Sequence, residues 1–341
     1  MAPALLDVRH VLAWLKGRVR PRRALLAAVA LVAIFGVAIA GALLEARARY
    51  TGPGPLPEAR AIVVPRGNPT RVADTLFAAG AVASPLALRT AAWLTADEGP
   101  MRAGEFLFPT RASLREVLSV LRQGRPVQHR LTIPEGLTAA AIATLLDRTD
   151  TLAGDAVVPA EGTTLPETYL HERGTPRATL AERAARAMDR ALADAWANRA
   201  PGLPLASPTD LLILASIVER ETGRPEERPR VAQVFINRLN RGMRLQSDPT
   251  VVYAASGGLG TLDRPISRAD LDAANPYNTY RNAGLPPGPI ASPGTASLAA
   301  VAHPSGGDDL YFVADGTGGH AFAATLEEHN RNVARWRALN K

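Results

Sequence analysis

Cysteine is absent from the 341 residues, and lysine is nearly so: Lys16 and Lys341 stand against 37 arginines. Without cysteine there is no disulfide scaffold, no thiol nucleophile and no thiolate metal site. Without an internal lysine, the body of the chain has neither a P-loop lysine nor a Schiff-base lysine for pyridoxal phosphate. What is present is globular: 47% apolar and 21% charged residues, with 28 Gly and 28 Pro that imply many turns. The length suggests about two domains.

Positive charge is concentrated at one end. Residues 1–23 hold six basic groups (Arg9, Lys16, Arg18, Arg20, Arg22, Arg23) and one acid, Asp7, whereas the rest carries 33 basic and 31 acidic groups. A near-neutral body does not fit a nucleic-acid-binding domain, so the pI near 10.3 does not imply a nucleic-acid partner. The basic leader has a neighbour that explains it. Residues 24–44 (ALLAAVALVAIFGVAIAGALL) contain no charge. As a helix at about 1.5 Å per residue they reach about 31 Å, enough to cross a hydrocarbon core. Arginines crowd the N-terminal edge. The positive-inside rule therefore expects residues 1–23 in the cytoplasm and everything after Leu44 outside the cytoplasmic (inner) membrane. Ala38-Ile39-Ala40 imitates a signal-peptide cleavage site, but the apolar run exceeds a signal h-region.

Residues 45–60 read as a Pro- and Gly-rich linker. A small subdomain, 61–126, follows, with strands at Ala61–Val64 and Gly104–Phe108. Its expected helices are Thr70–Ala79, Ser84–Leu94 and one capped by Ser113 and ended by Gly124. The stretches VPRGNPTRVADTL (64–76) and IPEGLTAAAIATLL (133–146) share a plan of strand, Pro-x-Gly turn and helix. That plan resembles the opening of LysM-type glycan-binding modules and equally describes an ordinary βα turn. The larger domain, 127–341, opens on the alternating strand Val127–Ile133. It continues with an amphipathic helix from Thr175-Pro176 carrying Leu180, Ala184, Met188, Leu192 and Trp196 on one side. Short strands segregated from several helices give the fold class α+β.

Ser207-Pro208-Thr209-Asp210 is a strong helix start, with serine at the cap and proline at the first position. The run LLILASIV (211–218) that follows is apolar except for Ser216. A helix apolar on all sides is buried on all sides. Glu219 is delivered where that helix emerges, and Gly223 is the expected C-cap. Against an apolar wall the carboxyl would be desolvated, which raises its pKa and suits a general acid. Glu219 equally reads as the solvent end of the helix, paired with an arginine. Glu221 points about 200° away, so the two do not share a face. A second helix is expected over Glu226–Asn240. Loops rich in tyrosine and amides, 243–250 and 275–280, suit sugar rings, which offer a flat apolar face and hydrogen-bonding edges.

The segments ASIVERET (215–222), VFINRL (234–239), GMRLQSDPTVVY (242–253), YNTY (277–280), GLPPGPIASPG (284–294) and LYFVADGTGGHAF (310–322) together resemble the YceG-like (MltG) family of membrane-anchored endolytic murein transglycosylases. LPETY (165–169) also matches. The resemblance implies a lyase that cleaves the MurNAc–GlcNAc β-1,4 bond inside peptidoglycan strands and leaves 1,6-anhydro-MurNAc ends. It implies no cofactor, peptidoglycan strands as substrate, the cytoplasmic membrane as anchor and peptidoglycan synthases as partners. The family's catalytic glutamate falls on Glu219. Gln246, Asp248, Tyr277, Asn278 and Tyr280 are expected near the substrate. One carboxylate suffices where the sugar's own C6 hydroxyl is the nucleophile, whereas a hydrolase normally needs two. The rival reading is a non-catalytic, membrane-anchored glycan-binding adaptor. A metal hydrolase built on His303, His320 and His329 lacks an HExxH-type spacing, as does His171-Glu172.

Overall fold

The computed structural model describes residues 21–339. The basic leader expected in the cytoplasm lies, as far as Arg20, outside the described residues. Helix α1 (Pro21–Thr51) contains a span, Leu25–Thr51, long and apolar enough to cross a membrane, and its side chains from Leu25 to Arg49 are exposed. The stretch expected to begin a linker at residue 45 instead continues this helix to Thr51. Beyond it Leu56 is already a core residue, 2% exposed.

The chain divides into two compact units, one ending at Val127 and one beginning at Gln128. In the first, β1 (Arg60–Val64) and β2 (Gly104–Phe108) pair antiparallel with Ile62 opposite Phe106. Between them run α2 (Pro69–Ala78) and α3 (Pro85–Leu94), and after them α4 (Leu114–Gln123). Strand alternation turns Ile62, Val64, Phe106 and Phe108 inward. The helices add Val72, Leu76, Leu88, Val117, Leu118 and Leu121 to the same core. Asn68, Ser84 and Ser113 cap the three helices by accepting the N–H of the third helical residue, and Ser113 with Glu116 completes a capping box.

The second unit begins with β3 (Gln128–Thr132), α5 (Ala139–Arg148), the two-residue β4 (Leu152–Ala153), β5 (Thr168–Glu172), β6 (Thr175–Pro176) and α6 (Arg177–Ala197). β3 pairs antiparallel with β5, Leu131 opposite Tyr169, and β4 lies parallel to β6. These elements enclose a small core of Leu131, Ile133, Ile142, Leu146 and Leu180. Five more helices follow: α7 (Pro208–Glu221), α8 (Arg228–Asn240), α9 (Asp248–Ala255), α10 (Arg268–Asp272) and α11 (Thr295–Ala302). The larger core is built from α7, α8, α11 and Met188 of α6, with Tyr253 of α9 packed against it, while α10 buries no residue. All eight residues from Leu211 to Val218 are buried, as the all-apolar run requires. The hairpin β7 (Tyr311–Ala314) and β8 (His320–Ala323) and the helix α12 (Leu326–Leu339) end the described chain. Each sheet among the described residues has two strands, so this is a mixed helix-and-strand fold in which helices carry the packing.

Two local expectations differ from the structure. Thr222, in extended conformation, and not Gly223, caps the C-terminus of α7. The helix expected over 226–240 starts with a 3-10 turn, Pro225–Glu227, because Pro229 fits only the first turn of an α-helix that opens at Arg228.

Candidate active site

Ser216 is the one polar residue inside the apolar run of α7, and its hydroxyl explains why. It donates to the Ile213 carbonyl at 2.7 Å and accepts the Ile290 N–H at 3.0 Å. The helix thereby fixes the Pro- and Gly-rich loop 284–294 against its buried flank. One turn further on, Glu219 emerges beside the end of that loop with its side chain 4% exposed.

The wall around Glu219 is polar. Its Oε1 accepts from Arg228 Nη2 at 3.0 Å and its Oε2 from the Gly294 N–H at 2.9 Å. The same Arg228 nitrogen donates to Glu135 Oε2 at 3.1 Å. Two carboxylates, one buried and one 44% exposed, therefore share one guanidinium nitrogen. Gly294 makes this possible. A Cβ there would lie 1.9 Å from Glu135 Oε1. Of the two readings open in the sequence, desolvation against an apolar wall and pairing with an arginine, the structure contains the pairing.

Glu135 belongs to the Pro134-Glu135-Gly136 turn between β3 and α5. The turn is clamped to the 284–294 loop by two backbone bonds, Gly136 N–H to the Ser292 carbonyl (2.9 Å) and Ser292 N–H to the Leu137 carbonyl (2.8 Å). Gly136 takes φ 74°, which favours glycine. Arg220 ties the same turn to the following loop, donating to the Gly136 and Gly260 carbonyls at 3.2 and 2.9 Å. The turn leads into Thr138 and Ala139, where Glu161 Oε1 accepts the Ala139 N–H and Glu161 Oε2 accepts from the Tyr253 hydroxyl. Burial raises the Glu161 carboxyl above its ordinary pKa. Tyr253 in turn packs on Tyr277, ring centroids 4.9 Å apart. This half-buried pair of rings is an aromatic surface joined to the Glu219 centre through one turn.

The five residues expected near the substrate do not form one cluster. Tyr277 stands on the aromatic surface just described. Asp248 and Tyr280 meet directly, the Tyr280 hydroxyl donating to Asp248 Oδ1 at 2.6 Å. Gln246 is exposed at φ 51° and its N–H donates to the Thr279 carbonyl at 3.2 Å. These three lie with Ser247, whose hydroxyl donates to Glu221, and so on the Glu221 side of α7. Asn278 is 1% exposed. Its Nδ2 donates to the carbonyls of Asp270, Leu271 and Ala273, and its Oδ1 accepts the Tyr280 N–H, so it holds the loop in shape.

Glu221, like Glu161, is a carboxyl whose titration is raised above the ordinary range. Burial pushes it up to about 7 and nearby Asp248 adds to the effect, while the Ser247 hydrogen bond and Arg238 oppose it. The unfolded chain releases this proton near pH 4.5, so the folded chain binds more protons between there and about pH 7. This contribution to stability is complete below pH 4.5 and is lost as pH rises through about 7. Glu221→Gln is expected to flatten this part of the stability profile. The parent should lose up to about 3 kcal/mol relative to the variant across that window, at about 1.4 kcal/mol per pKa unit. Melting temperatures of the two proteins from pH 4 to 8 check this, and parallel curves would contradict it.

His320, His329 and His171 are engaged elsewhere, and His303 ends α11 exposed. His320 Nδ1 lies 2.7 Å from Glu227, His329 stacks on Tyr311, and His171 Nε2 lies 2.7 Å from Thr151. Among the described residues no three His, Cys, Asp or Glu gather as metal ligands.

The model of the YceG-like family matches residues 62–335, so the chain belongs to the YceG-like family. It is 46% identical over 121 residues to the endolytic murein transglycosylase of Bacillus subtilis (strain 168), covering 36% of this chain and 32% of that protein. It is 32% identical over 284 residues to the endolytic murein transglycosylase of Streptococcus pneumoniae (strain D39), covering 69% of this chain and 50% of that protein. The chain thus spans half the length or less of these curated relatives. The 2.6 Å crystal structure of a yceG-like protein from Listeria monocytogenes superposes with a TM-score of 0.50 at 28% identity, covering 80% of this chain and 99% of that one.

Proposed function

We propose that this protein is a membrane-anchored endolytic lytic transglycosylase of peptidoglycan. As such it is a lyase that cuts the MurNAc–GlcNAc β-1,4 bond within glycan strands, leaves 1,6-anhydro-MurNAc ends and so terminates nascent strands. The observation that carries the reading is the setting of Glu219, a single buried carboxylate held by two donors at the end of a rigid helix. Two relatives that bear the name endolytic murein transglycosylase support it.

The reaction needs one group that gives a proton and then takes one. Protonated Glu219 donates to the glycosidic oxygen as the bond from muramyl C1 breaks. The muramyl C6 hydroxyl attacks C1, and the Glu219 carboxylate takes the hydroxyl proton. No water enters the product, and Glu219 ends as it began. Arg228 fits this exchange because it has a second acceptor: when Glu219 carries the proton, Glu135 still holds the guanidinium. Tyr277 with Tyr253, their rings tilted 52° to each other, offers an aromatic face against which a sugar ring packs. Gln246, Asp248 and Tyr280 contact a more distant sugar of the same strand, and Asn278 serves them by fixing their loop.

Residues 24–44 cross the cytoplasmic membrane, residues 1–23 remain in the cytoplasm and the rest stands outside. Residues 61–126 form a LysM-like subdomain that holds glycan, and residues 127–341 form the catalytic domain. Peptidoglycan synthases of elongation or division are the protein partners. The test is incubation of the purified full-length chain with uncrosslinked glycan strands. Shortened strands whose new muramyl ends resist borohydride reduction are expected. Reducible MurNAc ends would overturn the lyase reading, and uncut strands would leave the adaptor.

A further inference from the structure

Helix α3 (Pro85–Leu94) of the first unit has two apolar faces and one core. Leu88 and Ala91 enter the core, at 0% and 8% exposed. On the opposite side Leu86, Trp93 and Leu94 stand 68%, 76% and 67% exposed. At about 100° per residue, these three and Thr90 share a continuous outer face about 100° wide. The face does not stand alone. Leu86, Thr90 and Leu94 line an open groove of about 1170 Å³ whose other wall is the last part of α1, Ala46–Tyr50.

That wall fixes the depth of the groove. A hydrocarbon core of about 30 Å takes up about 20 helical residues, which α1 supplies by Leu44. Glu45–Thr51 then rise about 10 Å at about 1.5 Å per residue, the level of the lipid headgroups. Tyr50 packs on the core of the first unit, so the unit is seated on the helix end without a flexible linker. The charge of this unit matches the surface it faces. Residues 45–127 carry 11 arginines against 7 acids, whereas residues 128–341 carry 22 basic and 24 acidic groups.

We propose that the outer face of α3, with the groove between it and the end of α1, lies in the headgroup region of an anionic bilayer, so that the first unit touches the membrane at a second place. Tryptophan at the interface and arginines beside phosphates are the side chains that suit this position. The contact holds the first unit against the membrane. This rests on the reading of α1 as a membrane-crossing helix.

The cysteine-free sequence makes the test direct. Leu86→Cys and, as a control in the same unit, Leu107→Cys, 58% exposed on the outer face of the β1–β2 sheet and so on the far side of the core from the outer face of α3, are each labelled with an environment-sensitive fluorophore in the full-length chain. The labelled proteins are reconstituted at one copy per nanodisc of phosphatidylglycerol and phosphatidylethanolamine. Circular dichroism confirms that each variant is folded. Flotation with the lipid comes first, and failure to float would overturn the anchor reading and this proposal with it. If the protein floats, the label at position 86 is expected to emit at shorter wavelength and to lose emission when shallow spin-labelled lipids are included, while the label at 107 does neither. Equal behaviour at the two positions would overturn the lipid contact and leave the anchor intact. A blue shift at 86 that lipid quenchers do not touch, and that appears only when several copies share a vesicle, would assign the face to a second copy of the chain and also overturn the proposal.

Discussion

Glu219→Gln is expected to lower glycan cleavage by about 10²–10⁴-fold, the usual contribution of a general acid–base group, or by more, because one group acts in both halves of the reaction. The exchange keeps the shape of the side chain. One amide oxygen still accepts from Arg228 or from the Gly294 N–H, which now hold the carboxylate at 3.0 and 2.9 Å. The fold should therefore survive while the proton donor and acceptor is lost. Glu221→Gln is the matched control. It removes a carboxyl of the same helix, on the side of Ser247 and away from Arg228, and should retain most of the activity at neutral pH. Turnover of purified strands by both variants, with circular dichroism as the check on folding, decides the matter. Near-parental cleavage by Glu219→Gln, or inactivity of Glu221→Gln alone, would contradict the assignment.

Arg228→Met is expected to give the largest loss of stability among single changes at the site. Arg228 and Glu219 are 10% and 4% exposed, and the distance between them is 3.0 Å. Removing one member of a buried pair leaves the other charge without compensation, at a cost of about 3–5 kcal/mol. For a unit of this size that corresponds to a fall of about 6–20 °C in melting temperature. The partly exposed Glu135 adds little, because water replaces the arginine there. The double variant Arg228→Met, Glu219→Gln should recover part of the loss, with a coupling of about 1–3 kcal/mol in the cycle. Melting temperatures of the four proteins test this, and strictly additive effects would show that the pair is not coupled.

The contrast between Glu219 and Glu221 shows where the sequence stops being informative. Elements came through because their causes are local. Ser207-Pro208 starts α7, the apolar run forces its burial, and Asn68, Ser84, Ser113 and Thr138 cap helices within a few residues of where they sit. The surroundings of Glu219 have no local cause. Gly294 reaches it from 75 residues away, and Glu135 meets Arg228 across 93. Neither separation leaves a mark on periodicity or composition, and Arg228 is one of 37 arginines. The same limit applies to Glu221, whose raised carboxyl depends on the loop that brings Ser247 and Asp248 over it. Asn278 illustrates the opposite case. In sequence it stands among tyrosines like a sugar ligand, and only the folded loop reveals three carbonyls around its amide. Tyr253 and Glu161 carry no signal of a site in the sequence, because a tyrosine in a helix and an acid before a glycine each have ordinary structural uses.

The central claim is that the C6 hydroxyl of the sugar, and not water, closes the reaction at muramyl C1. Cleavage of uncrosslinked strands by the full-length protein in heavy-oxygen water tests it directly. The new muramyl ends should weigh one water less than hydrolysed ends and carry no label from the solvent. Incorporation of one heavy oxygen atom per cut would make the protein a hydrolase and contradict the account.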